Sequence, residues 1–199
     1  MGRMKSREGT VVDADELMDD VIEAAAEMTS ERGHIDGLSD EEKQQLFTLI
    51  GLGGLKYFLL KVDPKKKIVY DPRESIELNG HTGPFIQYAH ARINSLLTKL
   101  GQPDSFVNPE LMDAEKELIK QLADYPKVIE DAAKNYAPST LANYSFELVK
   151  LYNQFYQNIS ISQESDPEKR SMRLVISRNV AKVIKSSMHC LGINVPDRM

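Results

Sequence analysis

Residues 83–101 read GPFIQYAHARINSLLTKLG, and this stretch decides the fold of the second half of the chain. Apolar side chains recur along it every three or four residues, which is the spacing of one face of an α-helix. Pro84 suits the first turn of a helix, and Gly101 is a natural helix stop. The stretch therefore predicts an amphipathic helix packed on a core. Its apolar face consists of Phe85, Ala89, Ile93, Leu96 and Leu100.

Four further helices are predicted downstream by the same periodicity. Pro126 and Pro167 suit first-turn positions, and Asp166 is a plausible N-terminal cap. We expect residues 80–199 to form an α-helical bundle. The four helical patterns cover residues 111–122, 126–136, 141–159 and 172–191.

Two more helices are predicted upstream. Asp13 can cap the first, and Ser39 with Glu42 forms the sequence signature of a capping box for the second. The second helix contains Gly51, Gly53 and Gly54, which weaken an isolated helix by about 1 kcal/mol each but permit close backbone packing.

Residues 65–78 break the helical pattern. The order of Lys67–Tyr70, Asp71–Pro72 and Ser75–Leu78 predicts a short extended or hairpin segment, and residues 79–83 predict a hinge or domain boundary. The expected fold class is all-α: a helical bundle preceded by a helical connector with this short segment.

Composition indicates a soluble intracellular protein. The chain has 199 residues and a formal charge of −5, and no apolar run is long enough to span a membrane. Cys190 is the only cysteine, so a disulfide within the chain is excluded. The four histidines do not pair at metal-ligand spacing, so we expect no metal site.

Charge is unevenly distributed. Residues 13–31 carry eight acidic side chains and no basic one, which should repel nucleic acid. Residues 168–199 carry seven Lys and Arg against two acids, and residues 56–67 carry five lysines against Asp63. These two basic clusters are typical of a polyanion-binding surface, but solvated helix faces have the same appearance.

Three stretches resemble the arginyl-tRNA synthetases, a class I family. Residues 2–12 (GRMKSREGTVV) are similar to the second class I signature loop in the degenerate form of this family. Residues 79–93 (NGHTGPFIQYAHARI) are similar to the start of its anticodon-binding domain, and residues 191–199 (LGINVPDRM) to its C-terminus. The matches occur in family order across nearly the whole chain.

The resemblance implies a C-terminal portion of arginine–tRNA ligase. Residues 1–32 would be the end of the signature loop and the following helix, 33–79 a connector contacting the tRNA stem, and 80–199 the DALR-type anticodon-binding bundle. The first class I signature and the Rossmann core are not present in the sequence, so we expect this portion to be inactive alone and to bind no cofactor. The intact enzyme would attach L-arginine to tRNA using ATP with Mg²⁺, and Lys5 and Arg7 would neutralise the ATP phosphates.

Phe85, Tyr88 and Arg92 lie on one helical stripe, at i, i+3 and i+7. Aromatic rings and a guanidinium are the groups that stack on and hydrogen-bond to splayed RNA bases. Such a stripe is also typical of a core, and the sequence leaves both interpretations open. The resemblance implies anticodon contacts for this stripe and for Tyr144 and Met199. Gln87 and Asn143 are candidate readers of base edges.

The implied partner is arginine tRNA, bound through its anticodon loop and stem, by a monomeric cytoplasmic protein with no membrane or DNA partner. Arg173, Lys182 and Lys185 are candidate phosphate contacts, and the acidic helix should face away from the tRNA. Two alternatives are a stand-alone tRNA-binding factor and a helical protein–protein interaction module that uses the aromatic stripe. The second would bind its partner through apolar contacts, insensitive to salt.

Overall fold

The structure is a computed structural model that describes residues 13–32, 35, 37–101, 103 and 109–199. These residues form α-helices and one short 3-10 turn at Ile161–Gln163, with no strand among them. The prediction of an all-α fold is confirmed. The helices are α1 (Ala14–Arg32), α2 (Asp40–Leu60), α3 (Pro72–Ser75), α4 (Gly83–Leu100), α5 (Asp113–Ala123), α6 (Tyr125–Lys134), α7 (Pro138–Asn158) and α8 (Pro167–Cys190).

Three of the helices begin where the sequence predicted caps. Asp13 accepts a hydrogen bond from the Asp15 backbone at 2.8 Å, and Asp166 caps α8 in the same way. The capping box of α2 is complete, because Ser39 Oγ accepts from the Glu42 amide while Glu42 accepts from the Ser39 amide. These caps satisfy backbone donors that have no partner within the helix.

Of the short extended or hairpin segment predicted for residues 65–78, the hairpin is not formed. Residues 68–71 have no regular secondary structure, and Pro72–Ser75 forms a single helical turn, α3. Asp71 caps this turn by accepting from the Arg73 amide at 2.9 Å, with Pro72 in the first helical position. An Asp-Pro pair suits both a turn between strands and a helix start, and here the helical cap is the one used.

The glycines of α2 allow two close helix crossings, as predicted. A Cβ on Gly51 would lie 2.6 Å from the Val21 carbonyl oxygen of α1. A Cβ on Gly83, at the start of α4, would lie 2.8 Å from the Gly53 carbonyl oxygen. Both obstacles are backbone atoms that cannot rotate away, so these positions fix the distances from α2 to α1 and to α4.

The main core lies between α4, α7 and α8, with α5 and α6 packed on its outer side. Tyr152, Phe155 and Ile184 are among its fully buried side chains. Tyr57 of α2 joins this core and donates its hydroxyl to the Ala142 carbonyl at 2.8 Å. This bond ties the connector helix α2 to α7. The division at residues 32 and 79 stays a prediction.

A smaller apolar cluster joins α1, α2 and α4 to the end of the chain. It consists of Ala25, Leu46, Ile50, Ala91 and Met199.

Residues 192–199, the C-terminal segment, lie along α4 and bring Met199 into the small cluster. Three side chains of α4 hold the segment. Gln87 donates to the Asn194 carbonyl at 2.9 Å, and Asn94 donates to the Asp197 carboxylate at 3.0 Å. His90 Nδ1 lies 2.8 Å from the Pro196 carbonyl oxygen. Because that oxygen can only accept, Nδ1 of His90 carries the proton.

Acid is expected to weaken the fold through His90. Burial lowers the pKa of His90, and its hydrogen bond to Pro196 offsets this only in part. The unfolded chain then binds a proton at a higher pH than the folded chain, so the free energy of unfolding falls as the pH drops through about 6.5. Urea unfolding between about pH 5 and pH 7.5 should show this slope.

The matched variant is His90→Asn, which cannot titrate. We expect its slope to be smaller but not zero, because burial also lowers the pKa of His81. Equal slopes in the two proteins would contradict the prediction.

Candidate nucleic-acid interface

The outer face of α4 carries Tyr88, Arg92, Ser95 and Lys99. These positions are three or four residues apart and therefore lie on one side of the helix. The opposite side is turned to the core, since Ile86, Ala89 and Ile93 are almost fully buried. Tyr88 is 38% exposed, so an aromatic ring is available on the surface at the start of this face.

Arg92 lies between α4 and α7. Its Nη2 donates to Asn153 Oδ1, and its guanidinium carbon is 4.6 Å from the centre of the Tyr156 ring. The structure thus gives this arginine an amide oxygen and an aromatic face as partners. A guanidinium has five N–H groups. The Nε of Arg92 is buried with no acceptor among the described residues, so the group keeps unused donor capacity.

A small cavity of about 220 Å³ lies beside Tyr156. Leu96, one turn after Arg92, forms one wall, and the polar side chains of Gln157, Ser160 and Ser162 form another. An aromatic ring next to hydroxyl and amide groups is suited to holding a flat heterocycle and to hydrogen bonding with its edge.

Sequence reasoning missed Tyr156 and Asn153. Tyr156 is one position beyond the buried residue Phe155, at the edge of the apolar stripe of α7. An aromatic residue with a polar tip at the edge of a stripe is a signal for a half-buried ring. The proximity of these residues to Arg92 had no signal in the sequence.

Phe85 is half-buried at the start of the same face. Its ring lies 5.6 Å from that of Phe146 on α7, and Phe146 in turn stacks on His81 at 4.1 Å. Asn143 is exposed on α7, one turn before Phe146. Tyr88 and Arg92 of α4, together with Tyr156 of α7, form a surface that we call the α4–α7 face, and Phe85 and Asn143 lie at its border.

Two of the candidate base contacts, Gln87 and Met199, are buried. Gln87 is 0% exposed and donates to the carbonyls of Leu49 and Asn194. Met199 is packed in the small cluster. Neither offers a free polar edge or a face to a base in this conformation. Both support the placement of α4, and we leave them out of the contact surface.

Tyr144 is buried as well. Its hydroxyl donates to the Gln121 carbonyl at 2.6 Å, and its ring stacks on Tyr125 with centres 5.6 Å apart. Burial raises the pKa of Tyr144. Both the hydroxyl and the ring are thus occupied inside the bundle, so we leave Tyr144 out of the contact surface too.

Arg173 is not available to phosphate, which corrects the interpretation of the basic cluster. Its guanidinium is buried and pairs with Glu115 at 2.7 Å and with Glu164 at 2.5 Å. Lys182 and Lys185 are exposed, so the other two candidates of α8 remain on the surface.

Three further predictions concern the signature loop, metal binding and a membrane span. Lys5 and Arg7 lie outside the described residues. Within the described part of the chain, no group of three His, Cys, Asp or Glu side chains could hold a metal ion. None of the described helices is long and apolar enough to cross a membrane.

Comparisons with known proteins agree with the resemblance. A family model described as the DALR anticodon binding domain matches residues 86–199. Proteins named arginine–tRNA ligase are similar over the whole chain, with 50% identity over 205 residues in Parabacteroides distasonis and 49% over 199 residues in Flavobacterium psychrophilum. The chain spans about a third of these relatives, 34% and 33% of their lengths.

Solved structures show the same likeness. The arginyl-tRNA synthetase of Thermus thermophilus superposes with a TM-score of 0.90 at 26% identity, over 100% of this chain and 34% of that one. The arginyl-tRNA synthetase of Plasmodium falciparum superposes with a TM-score of 0.81 at 21% identity, over 95% of this chain and 34% of that one, which supports the fold.

Proposed function

The chain belongs to the DALR anticodon-binding domain family, and from this we propose that its α4–α7 face reads the anticodon loop of arginine tRNA. The observation that carries the proposal is the setting of Arg92. Its guanidinium lies over Tyr156, whose ring lines the cavity beside Leu96, and its Nε has no acceptor among the described residues. Tyr88 adds an exposed ring on the same face.

In this proposal one base enters the cavity and stacks on Tyr156, while Arg92 donates to its edge. A second base stacks on Tyr88. Stacking contributes about 1–3 kcal/mol per base, and hydrogen bonds to the base edge supply the sequence preference. Phe85 and Asn143 contribute contacts at the border of the face.

The proposal extends to the whole protein. The named relatives are arginine–tRNA ligases, which supports a ligase that joins L-arginine to tRNA with ATP and Mg²⁺. In that protein Lys5 and Arg7 would contact the ATP phosphates, and the connector helices would contact the tRNA stem. A cytoplasmic location and a monomeric state stay predictions.

Changing the middle anticodon base of arginine tRNA is expected to weaken binding to the chain by about 1–3 kcal/mol, because one base contact is lost. Binding should be measured for both tRNAs at two salt concentrations, since phosphate contacts make the affinity fall with salt. A tRNA with one base pair exchanged in the acceptor stem is the matched control.

Equal binding of the three tRNAs with a steep salt dependence would contradict anticodon reading and leave a general phosphate-binding module. Absence of binding to all three would favour the protein–protein interaction module instead.

A further inference from the structure

An open cavity of about 770 Å³ lies between the C-terminal half of α4, α8 and the C-terminal segment. It is separate from the cavity beside Tyr156, with which it shares no lining residue. Most of the residues that line it are polar or charged, including Ser95, Lys99, Arg178, Asp197 and Arg198. The base contacts proposed above do not involve this cavity.

The cavity has an excess of positive charge. Among the described residues that line it, Lys99, Arg178 and Arg198 accompany one carboxylate, Asp197, and the charge of Arg198 also acts on Glu42 of α2. Asp197 already accepts a hydrogen bond from Asn94. Lys99 and Arg178 are therefore the two cations that favour an anionic occupant.

Arg178 adds a specific requirement. Its Nε is buried and has no hydrogen-bond acceptor among the described residues. A buried N–H without a partner is costly, so an oxygen-rich anion that reached this guanidinium would satisfy it. Phosphate matches the planar, forked donors of arginine.

The cavity continues the proposed base-reading face. Ser95 and Lys99 line the cavity and also lie on the side of α4 that carries Tyr88 and Arg92. Seven residues separate Arg92 from Lys99, which is about 10 Å along the helix axis. A strand whose bases are held at Arg92 and that continues toward the C-terminal end of α4 would pass over the cavity.

We propose that this cavity binds backbone phosphates of the RNA strand that leads away from the bases held at Arg92 and Tyr88. The contact is independent of sequence and positions the strand. The proposal rests on the proposed function, because it takes the same RNA as its ligand.

Lys99→Ala is expected to weaken binding to arginine tRNA about fivefold and to reduce the slope of log affinity against log salt by about 1. The loss should be equal for the tRNA with the changed anticodon base, because no base is contacted. Lys127→Ala is the matched control, since Lys127 is an exposed lysine on α6, which does not line the cavity. Its affinity and slope should stay near those of the unaltered chain.

Two further variants test the cavity itself. Arg178→Gln should weaken the binding of both tRNAs to the same extent as Lys99→Ala. Asp197→Asn keeps an oxygen for the bond from Asn94 but removes the negative charge, so it should tighten binding about twofold. Thermal unfolding of each variant separates a binding effect from a folding effect.

If the unaltered chain discriminates between the tRNAs but Lys99→Ala behaves like Lys127→Ala, the cavity proposal is wrong while anticodon reading stands. The cavity proposal is also wrong if Lys99→Ala weakens binding of one tRNA only, since the contact would then depend on sequence. If the unaltered chain binds no tRNA, both proposals fail.

Discussion

Replacing Glu115 by alanine is expected to lower the free energy of unfolding by about 3–5 kcal/mol, because it leaves a buried charge without its partner. Glu115 is 0% exposed and accepts from Arg173 Nε at 2.7 Å. Its other oxygen accepts from the Met112 amide at the start of α5, so the helix also loses its cap. Among the described residues, Glu164 at the rim would still compensate Arg173.

Glu164 remains ionised in this arrangement. Its hydrogen bond from the Asp166 amide, and then the charge of Arg173, lower its pKa. Arg173 therefore keeps one anionic partner at neutral pH, which makes the variant a destabilised protein rather than an unfolded one.

Urea unfolding measures the effect. Glu117→Ala is the control, since Glu117 is exposed on the same helix and its removal should cost little. The double variant Glu115→Ala with Arg173→Met removes the buried charge as well and should recover much of the loss. A loss below about 1 kcal/mol for Glu115→Ala would contradict the buried pair as described.

Replacing Arg92 by alanine is expected to weaken binding to arginine tRNA by about 2–4 kcal/mol and to remove most of the preference for the correct anticodon. The guanidinium is the group that supplies donors next to the cavity beside Tyr156. Arg92→Lys should recover little, because an ammonium lacks the planar fork and stacks less well on an aromatic ring.

Binding of both tRNAs to each variant measures this prediction. Lys127→Ala, which removes an exposed positive charge on α6, is the control for loss of a positive charge. Arg92 also contacts Asn153, so a thermal unfolding curve must show that the variant is folded under the assay conditions. An Arg92→Ala variant that is folded and still discriminates between the tRNAs would contradict the role of Arg92.

The helices were predicted well because the caps and the apolar periodicity that indicate them depend on residues close together in the sequence. Asp13 and the pair Ser39–Glu42 each act within one turn, and both caps are present. The Asp71–Pro72 pair was misleading since it suits a strand turn and a helix start equally. Only packing against α1 and α2 selects between those two conformations.

The candidate site was only half predictable. The spacing of Tyr88 and Arg92 identified the α4 face, because it depends on one helix alone. Tyr156 was missed because its contact with Arg92 depends on how α7 packs against α4. Gln87 is buried against Gly53, where a Cβ would clash with its amide, and a one-dimensional pattern does not contain this fit. From the sequence, Arg173 was interpreted as a surface charge. Its two carboxylate partners come from other parts of the chain, and a sequence pattern does not show them.

The position of Met199 has a consequence for synthesis on the ribosome. The apolar face shared by α1 and α2 is synthesised well before Met199, which helps to close it. Until Met199 emerges from the ribosome, Ala25 and Ile50 lack part of their packing. We expect the nascent chain to expose this face during that interval, which makes it a natural site for chaperone binding.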